Sequence, residues 1–153
     1  MTYFKDLTIY EYTPLLVRPG NNIGWLGRGR PFPTATPSQE VLDLLWLFCS
    51  ISVQPTRGFH VCEFCLGGGN LYYAERKGER LKLGTAEIRV FSGQGHIYAA
   101  PNLIYHYVAV HHYRPPDEFL RALREGPRLP NREYFDELAK LGVEWCKTPP
   151  GAP

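Results

Sequence analysis

The chain has 153 residues, of which 44% are hydrophobic and 21% charged, and this balance predicts a folded chain with one hydrophobic core. The formal net charge of +2 gives no field that would favour nucleic acid or an anionic membrane as a partner. The N-terminus does not read as a signal peptide, and the longest apolar run, Leu44 to Cys49, is too short to span a membrane. We therefore expect a cytoplasmic protein whose four cysteines are reduced or bind metal.

The first part of the chain predicts one short strand and one buried helix. Thr8 to Tyr12 is compatible with a strand, whereas frequent proline and glycine around it are typical of ordered loop. Thr36 as the cap, followed by Pro37 and Gln39, predicts a helix that runs to about Ser50. Because this helix is apolar on nearly every side, we expect it to lie in the core.

The middle of the chain predicts a small antiparallel sheet of roughly three to five strands. Glu87 and Arg89 lie on one face of a half-buried strand, where they can pair. The strand segments are Phe59 to Phe64, a hairpin of Leu71 to Ala74 with Leu81 to Leu83, the alternating stretch Ala86 to Val90, and His96 to Ala100.

Three further helices are predicted toward the C-terminus, which makes about four in all. They run from Asn102 to His112, from Pro115 to about Arg124, and from Asn131 to about Gly142. The pattern predicts an α+β fold in which residues 1–146 form a single domain. Residues 147–153 are rich in proline and poor in apolar surface, which predicts a disordered tail.

The segment from His60 to Cys65 carries the clearest chemical signal. Cys62 and Cys65 are separated by two residues, which is the Cys-x-x-Cys pattern. This spacing lets two thiolates bind one cation from a tight turn. On a strand, His60 projects from the same face as Cys62 and can supply a third ligand. Since thiolates with imidazole favour zinc, and zinc sites hold four ligands at roughly 2.0–2.3 Å, the HxCxxC segment predicts a zinc-knuckle-like insertion.

The fourth ligand must come from another part of the chain, and we predict His106. It lies on the same predicted helix as His111 and His112, but separations of five and six residues miss the spacing of one helical face, so at most one of the three is expected to bind. His111 lies on the apolar face of that helix, where a buried histidine bonded to oxygen is the commoner case. The other candidate donors are His96, Cys49 and Cys146.

Other interpretations of the cysteine pair remain open. Both can be small buried side chains without metal, a common role for free cysteine. A redox pair is less favoured, because the glycines at 67–69 prevent the helix that usually follows such a pair. A catalytic zinc would use Glu63 as general acid or base, but the chain lacks the full motif of zinc nucleobase deaminases. If the zinc is instead structural, with a closed shell of four protein ligands, we expect chelation to unfold the protein.

Several segments together resemble an uncharacterised family of small bacterial proteins. They are Tyr3-Phe4-Lys5-Asp6-Leu7-Thr8 with Tyr10-Glu11-Tyr12, His60 to Cys65, Glu87-Ile88-Arg89-Val90, and Tyr98 to His106. The family is a domain of unknown function, so the resemblance implies a single bacterial domain and transfers no activity or site residue.

The predicted function is therefore a small zinc-binding protein with a structural metal at His60, Cys62, Cys65 and His106. We expect it to act as an interaction or accessory module, with another protein as its partner. One alternative is a zinc-dependent hydrolase or deaminase-like enzyme that uses Glu63. The other is a metal-free immunity or regulatory partner protein.

Overall fold

The computed structural model describes residues 2–12, 18–65 and 73–151. Within these residues the chain forms a five-stranded sheet, a separate two-stranded hairpin and four helices, which confirms the predicted α+β fold. The strands are β1 (Asn21–Asn22), β2 (Ile51–Val53), β3 (Tyr73–Arg76), β4 (Glu79–Lys82), β5 (Glu87–Phe91), β6 (Ile97–Pro101) and β7 (Trp145–Lys147). The helices are α1 (Gln39–Cys49), α2 (Ile104–His111), α3 (Asp117–Glu125) and α4 (Arg132–Leu141). None of the described helices is both long enough and apolar enough to cross a membrane.

The main sheet has the strand order β1-β6-β5-β2-β7. β5 and β6 are antiparallel, as are β2 and β5 and β2 and β7, but β1 runs parallel to β6. The sheet is therefore mixed, and not wholly antiparallel as predicted. The predicted hairpin is confirmed, since β3 and β4 pair antiparallel around Lys77 and Gly78; its first residues, 71 and 72, lie outside the described residues.

The helix starts differ in detail from the prediction. Ser38, not Thr36, caps α1, because its Oγ accepts a hydrogen bond from the backbone N–H of Val41 at 3.2 Å. Asn102 does not cap α2, because its Oδ1 accepts a hydrogen bond from the backbone N–H of Gly84 instead. The predicted C-terminal pair of helices, α3 and α4, is confirmed.

The main core lies between one face of the sheet and the helices. Helix α1 packs against α2, α3 and β5, as expected of a central buried helix. β5 contributes Ile88 and Val90 to this core, and β6 contributes Tyr98 and Ala100. Because side chains alternate along a strand, the residues between them point to the other face of the sheet.

That second face is covered by the N-terminal segment. Tyr10, Trp25 and Ala99 form a second buried cluster, with Phe4 packed against it. β5 is therefore buried on both faces and not half-buried as predicted, because the pattern of a single strand does not show what covers its polar side. Arg89 is only 1% exposed.

The predicted pairing of Glu87 with Arg89 is present on this covered face. Arg89 Nη1 donates to Glu87 Oε2 at 2.6 Å. The hydroxyl of Tyr10 donates to both oxygens of the same carboxylate, at 2.7 and 2.8 Å, and the guanidinium lies 4.8 Å from the centre of the Tyr10 ring. The buried carboxylate thus has several donors, as a charge removed from water requires.

Two predicted strands are absent, and three strands of the structure, β1, β2 and β7, were not predicted. Residues 8–12 make a single bridge, between Ile9 and Asn21. The second predicted strand, residues 59–64, lies in an irregular loop of residues 59–65 that contains a turn. The loop is attached to the body by the backbone N–H of His60, which donates to Gly84 O at 2.7 Å. β2 directly follows α1, where the prediction had only the end of a helix.

The C-terminal residues differ from the predicted disordered tail. β7 pairs with β2, and Thr148 behind it is buried. The Thr148 hydroxyl donates to Cys49 O at 2.5 Å and lies 2.8 Å from Ser52 Oγ, while Pro149 O accepts from the backbone N–H of Lys82. The open edge of β2 offers backbone hydrogen bonds that order this segment, and local composition does not show them. Residues 152–153 lie outside the described residues.

Candidate metal centre

Four potential metal ligands converge where the irregular loop meets α2. The loop supplies Cys62 and Cys65, and α2 supplies His106 and His111. One ligand atom from each lies within 4.8 Å of all the others, and no other group of this kind occurs among residues 2–12, 18–65 and 73–151. The structure therefore contains a Cys2His2 cluster with the composition of a metal site.

The distances inside the cluster are close to those of a tetrahedral zinc site. Cys62 Sγ lies 3.2 Å from His111 Nε2, and Cys65 Sγ lies 3.3 Å from Nε2 of both His106 and His111. Zinc bonds of about 2.3 Å to sulfur and 2.0–2.1 Å to nitrogen place tetrahedral sulfur and nitrogen ligands about 3.5 Å apart. A small outward movement of the side chains would give that spacing, so the cluster can hold one metal ion.

The turn at Glu63 and Phe64 positions the two sulfurs. The backbone N–H of Phe64 points back to Cys62 Sγ, at 3.4 Å. The Phe64 ring packs against α2, with its centre 6.0 Å from that of Tyr107 and 5.5 Å from that of His111. The backbone donor favours a charged sulfur, and the aromatic contact holds the loop against the helix that carries the imidazoles.

The two histidines approach each other from opposite ends of α2. His106 lies in the first turn and His111 is the last residue of the helix, before His112 takes a left-handed conformation. Their ring centres are 5.1 Å apart. We expected at most one of these histidines in the cluster, but the structure places both there. The face rule describes side chains that stack along a helix, whereas these two long side chains converge on a point beside it.

His60 is not part of the cluster. The expectation placed it beside Cys62 because alternate residues share a face of a strand, but residue 60 lies in an irregular loop where that alternation does not apply. His60 lines a small cavity of about 10 Å³ together with Trp25 and Glu87. His111 stands in the position that sequence reasoning assigned to His60.

The remaining candidate donors also lie outside the cluster. Cys49 is buried in α1, and its Sγ donates to the backbone oxygen of Asn102 at 3.4 Å. Cys146 is exposed on β7, His96 is exposed before β6, and His112 is exposed after α2. Of the fourth-ligand candidates, the structure brings only His106 and His111 to the cysteine pair.

One protein family covers most of this architecture. A family model described as a domain of unknown function, DUF7919, matches residues 2–124. The chain belongs to this family. All four members of the cluster lie within the matched range, whereas α4 and β7 lie beyond it. The chain matches no curated protein and no solved structure.

Burial sets the protonation of the cluster. Desolvation, with a smaller contribution from His111, lowers the pKa of His106 to about 4, and desolvation also lowers the pKa of His111. Both imidazoles are therefore neutral at pH 7, which is the form that binds metals. Desolvation raises the pKa of Cys62 to about 11 against the opposing effect of backbone N–H groups, so its thiolate is favoured only when a cation lies beside it.

The Glu63 carboxylate binds a backbone N–H outside the cluster. Its Oε2 accepts a hydrogen bond from the backbone N–H of Arg28 at 2.9 Å, and this bond is the main reason that the pKa of Glu63 lies below its usual value. A general acid or base at neutral pH needs the opposite shift. Glu63 is also not among the clustered ligand atoms. The geometry therefore gives no support to the predicted catalytic role of this residue.

Proposed function

We propose that Cys62, Cys65, His106 and His111 bind one zinc ion. The observation that carries the proposal is the convergence of four donor atoms from two separate elements to within 4.8 Å. Two thiolates and two neutral imidazoles favour zinc over magnesium or calcium. Two thiolate charges also balance a divalent cation, which suits a site where one sulfur is buried and the other groups are half-buried.

We further propose that the ion is structural. Four protein ligands complete a tetrahedral shell and leave no position for an activated water. The ion would then tie the irregular loop, which has no strand pairing of its own, to helix α2. The engagement of Glu63 with the Arg28 backbone supports the same conclusion, because a pKa below the usual value does not suit Glu63 to act as a general base.

At the level of the whole chain, we propose an interaction or accessory role. Phe59 and Val61 precede Cys62 on the irregular loop and are 50% and 40% exposed. The ring of Phe59 lies 4.5 Å from Lys82 Nζ, which places a positive charge beside an apolar surface. A bound ion would fix the loop and thereby fix these side chains, and such an arrangement suits contact with another protein.

Metal analysis of protein purified without added metal tests the proposal. We expect one zinc per chain, and X-ray absorption should give two sulfur ligands at about 2.3 Å and two nitrogen ligands at about 2.0 Å. A Cys62→Ser/Cys65→Ser variant should contain no zinc, whereas the matched Cys146→Ser variant should keep it. A chain without metal that also takes up none from a zinc buffer would support the metal-free alternative. A bound water among the ligands would support the enzyme.

A further inference from the structure

We propose that the Cys62–Cys65 pair controls release of the zinc ion: a hydroperoxide oxidises the two sulfurs to a disulfide, and the ion leaves. This inference rests on the proposed function, because it describes regulation of the same site. It concerns the loop of residues 59–65, which carries both sulfurs, and helix α2, which carries both imidazoles.

The placement of the two sulfurs allows a direct bond between them. They belong to residues separated by one tight turn, and their Sγ atoms lie within 4.8 Å of each other. A disulfide requires the sulfurs to approach to about 2.05 Å. Residues 59–62 have no strand pairing, so the movement is confined to side-chain rotation and a local change in this loop.

The two cysteines differ in exposure, and this difference orders the steps. Cys62 is only 3% exposed, whereas Cys65 is half-buried. A small oxidant therefore reaches the sulfur of Cys65 first. The buried Cys62, whose sulfur accepts a hydrogen bond from the backbone N–H of Phe64, then serves as the resolving residue.

The reaction balances with hydrogen peroxide as the oxidant. The Cys65 thiolate attacks one peroxide oxygen, the O–O bond breaks, and a sulfenic acid and hydroxide form. The Cys62 thiolate then attacks the sulfenic sulfur, the S–S bond forms, and a second hydroxide leaves. The two sulfurs lose two electrons in total, and peroxide gains them.

Oxidation removes half of the ligand shell. His106 and His111 alone leave two positions of the zinc ion without protein ligands, so the ion dissociates and the loop loses its link to α2. A dithiol reductant reverses the step, since it restores both thiols and is itself oxidised to a disulfide. Zinc then binds again.

The other two cysteines, Cys49 and Cys146, are not part of the cluster and need not interfere with a test of this reaction. Cys49 is buried and bonded to the backbone oxygen of Asn102, away from the cluster. Cys146 is exposed on β7 and can form disulfides between molecules. A Cys146→Ser background removes that side reaction and leaves the metal cluster unchanged.

The test uses zinc-loaded Cys146→Ser protein treated with hydrogen peroxide, with zinc release followed by a chromogenic chelator and the product mapped by mass spectrometry. We expect one zinc released for each Cys62–Cys65 disulfide, with the loss of two hydrogen atoms, and recovery of both with dithiothreitol and zinc. Retention of zinc at peroxide concentrations that oxidise Cys146 in the unmodified chain would refute the inference. Release accompanied by sulfinic acid at Cys65, without a disulfide, would also refute it. Protein that holds no zinc before treatment refutes the proposed function instead, so the two failures are distinct.

Discussion

Replacing His111 with glutamine tests the ligand set most directly. Glutamine is similar in size to histidine but is a poor zinc ligand, so His111→Gln should lose zinc while the fold is kept. The matched controls are His60→Gln and His112→Gln, because both histidines lie close in sequence to cluster members but outside the cluster. Both control variants should keep one zinc per chain.

The expected loss of stability follows from linkage between metal binding and folding. Zinc at a free concentration one thousand times its dissociation constant stabilises the folded state by about 4.1 kcal/mol. In a chain of 150–250 residues each kcal/mol corresponds to about 2–4 °C in Tm, so loss of the ion should lower Tm by about 8–16 °C. Differential scanning calorimetry in a zinc buffer measures this shift.

Chelation provides the internal control for this experiment. If His111 acts only through the metal, the Tm values of the wild type and His111→Gln should coincide in excess EDTA. A difference of 8 °C or more that persists in EDTA would mean that His111 stabilises the fold by packing, as a buried histidine without metal would. Zinc loss in His60→Gln together with zinc retention in His111→Gln would overturn the assigned cluster.

Three further predictions concern the rest of the molecule. Arg89→Met leaves the carboxylate of Glu87 buried beside an apolar side chain and should lower the free energy of unfolding in urea by about 3–5 kcal/mol. The double variant Arg89→Met/Glu87→Gln should recover part of this loss, and a loss below about 1 kcal/mol in Arg89→Met would contradict the prediction. Tyr107→Phe removes a buried hydroxyl that has no hydrogen-bond partner among the described residues, so the free energy of unfolding should stay unchanged or rise. Tyr113→Phe loses a hydrogen bond to a carboxylate and should lower the free energy of unfolding by about 1.5–3 kcal/mol. Equal losses in the two variants would refute this contrast. Thr148→Val should lower the free energy of unfolding by about 1–3 kcal/mol and increase the rate of amide exchange in β7. An unchanged exchange rate would show that the Thr148 hydroxyl does not stabilise that strand.

The regular elements were predictable because their signals are local. The hairpin at Lys77 and Gly78 and the helices that end at Gly126 and Gly142 follow from turn residues, caps and charge near the helix ends. The pairing of Glu87 with Arg89 follows from strand alternation alone. What the local pattern does not contain is the covering of the second sheet face by the N-terminal segment.

The candidate site was predictable in part for the same reason. The Cys-x-x-Cys spacing marks Cys62 and Cys65 directly, whereas the partners depend on which helix packs against the loop. The signal for both histidines was nevertheless present, because His-x4-His falls within the spacing that pairs of histidines adopt in Cys2His2 zinc sites. The face rule obscured it, and the assumed strand at residues 59–64 favoured His60 in place of His111.

The size of the core determines what removal of the metal should do to the fold. In classical zinc fingers the ion replaces a hydrophobic core, so chelation unfolds the chain, and a closed shell predicts the same outcome here. In this chain, however, the main core extends across α1, α3, β5 and β6, and the cluster ties only the loop of residues 59–65 to α2. We therefore expect chelation to open the loop and lower Tm without global unfolding. Hydrogen exchange should quicken at the amides of His60 and Phe64, while Val90 in the centre of β5 keeps its protection; equal loss of protection at all three would show that the ion supports the whole fold.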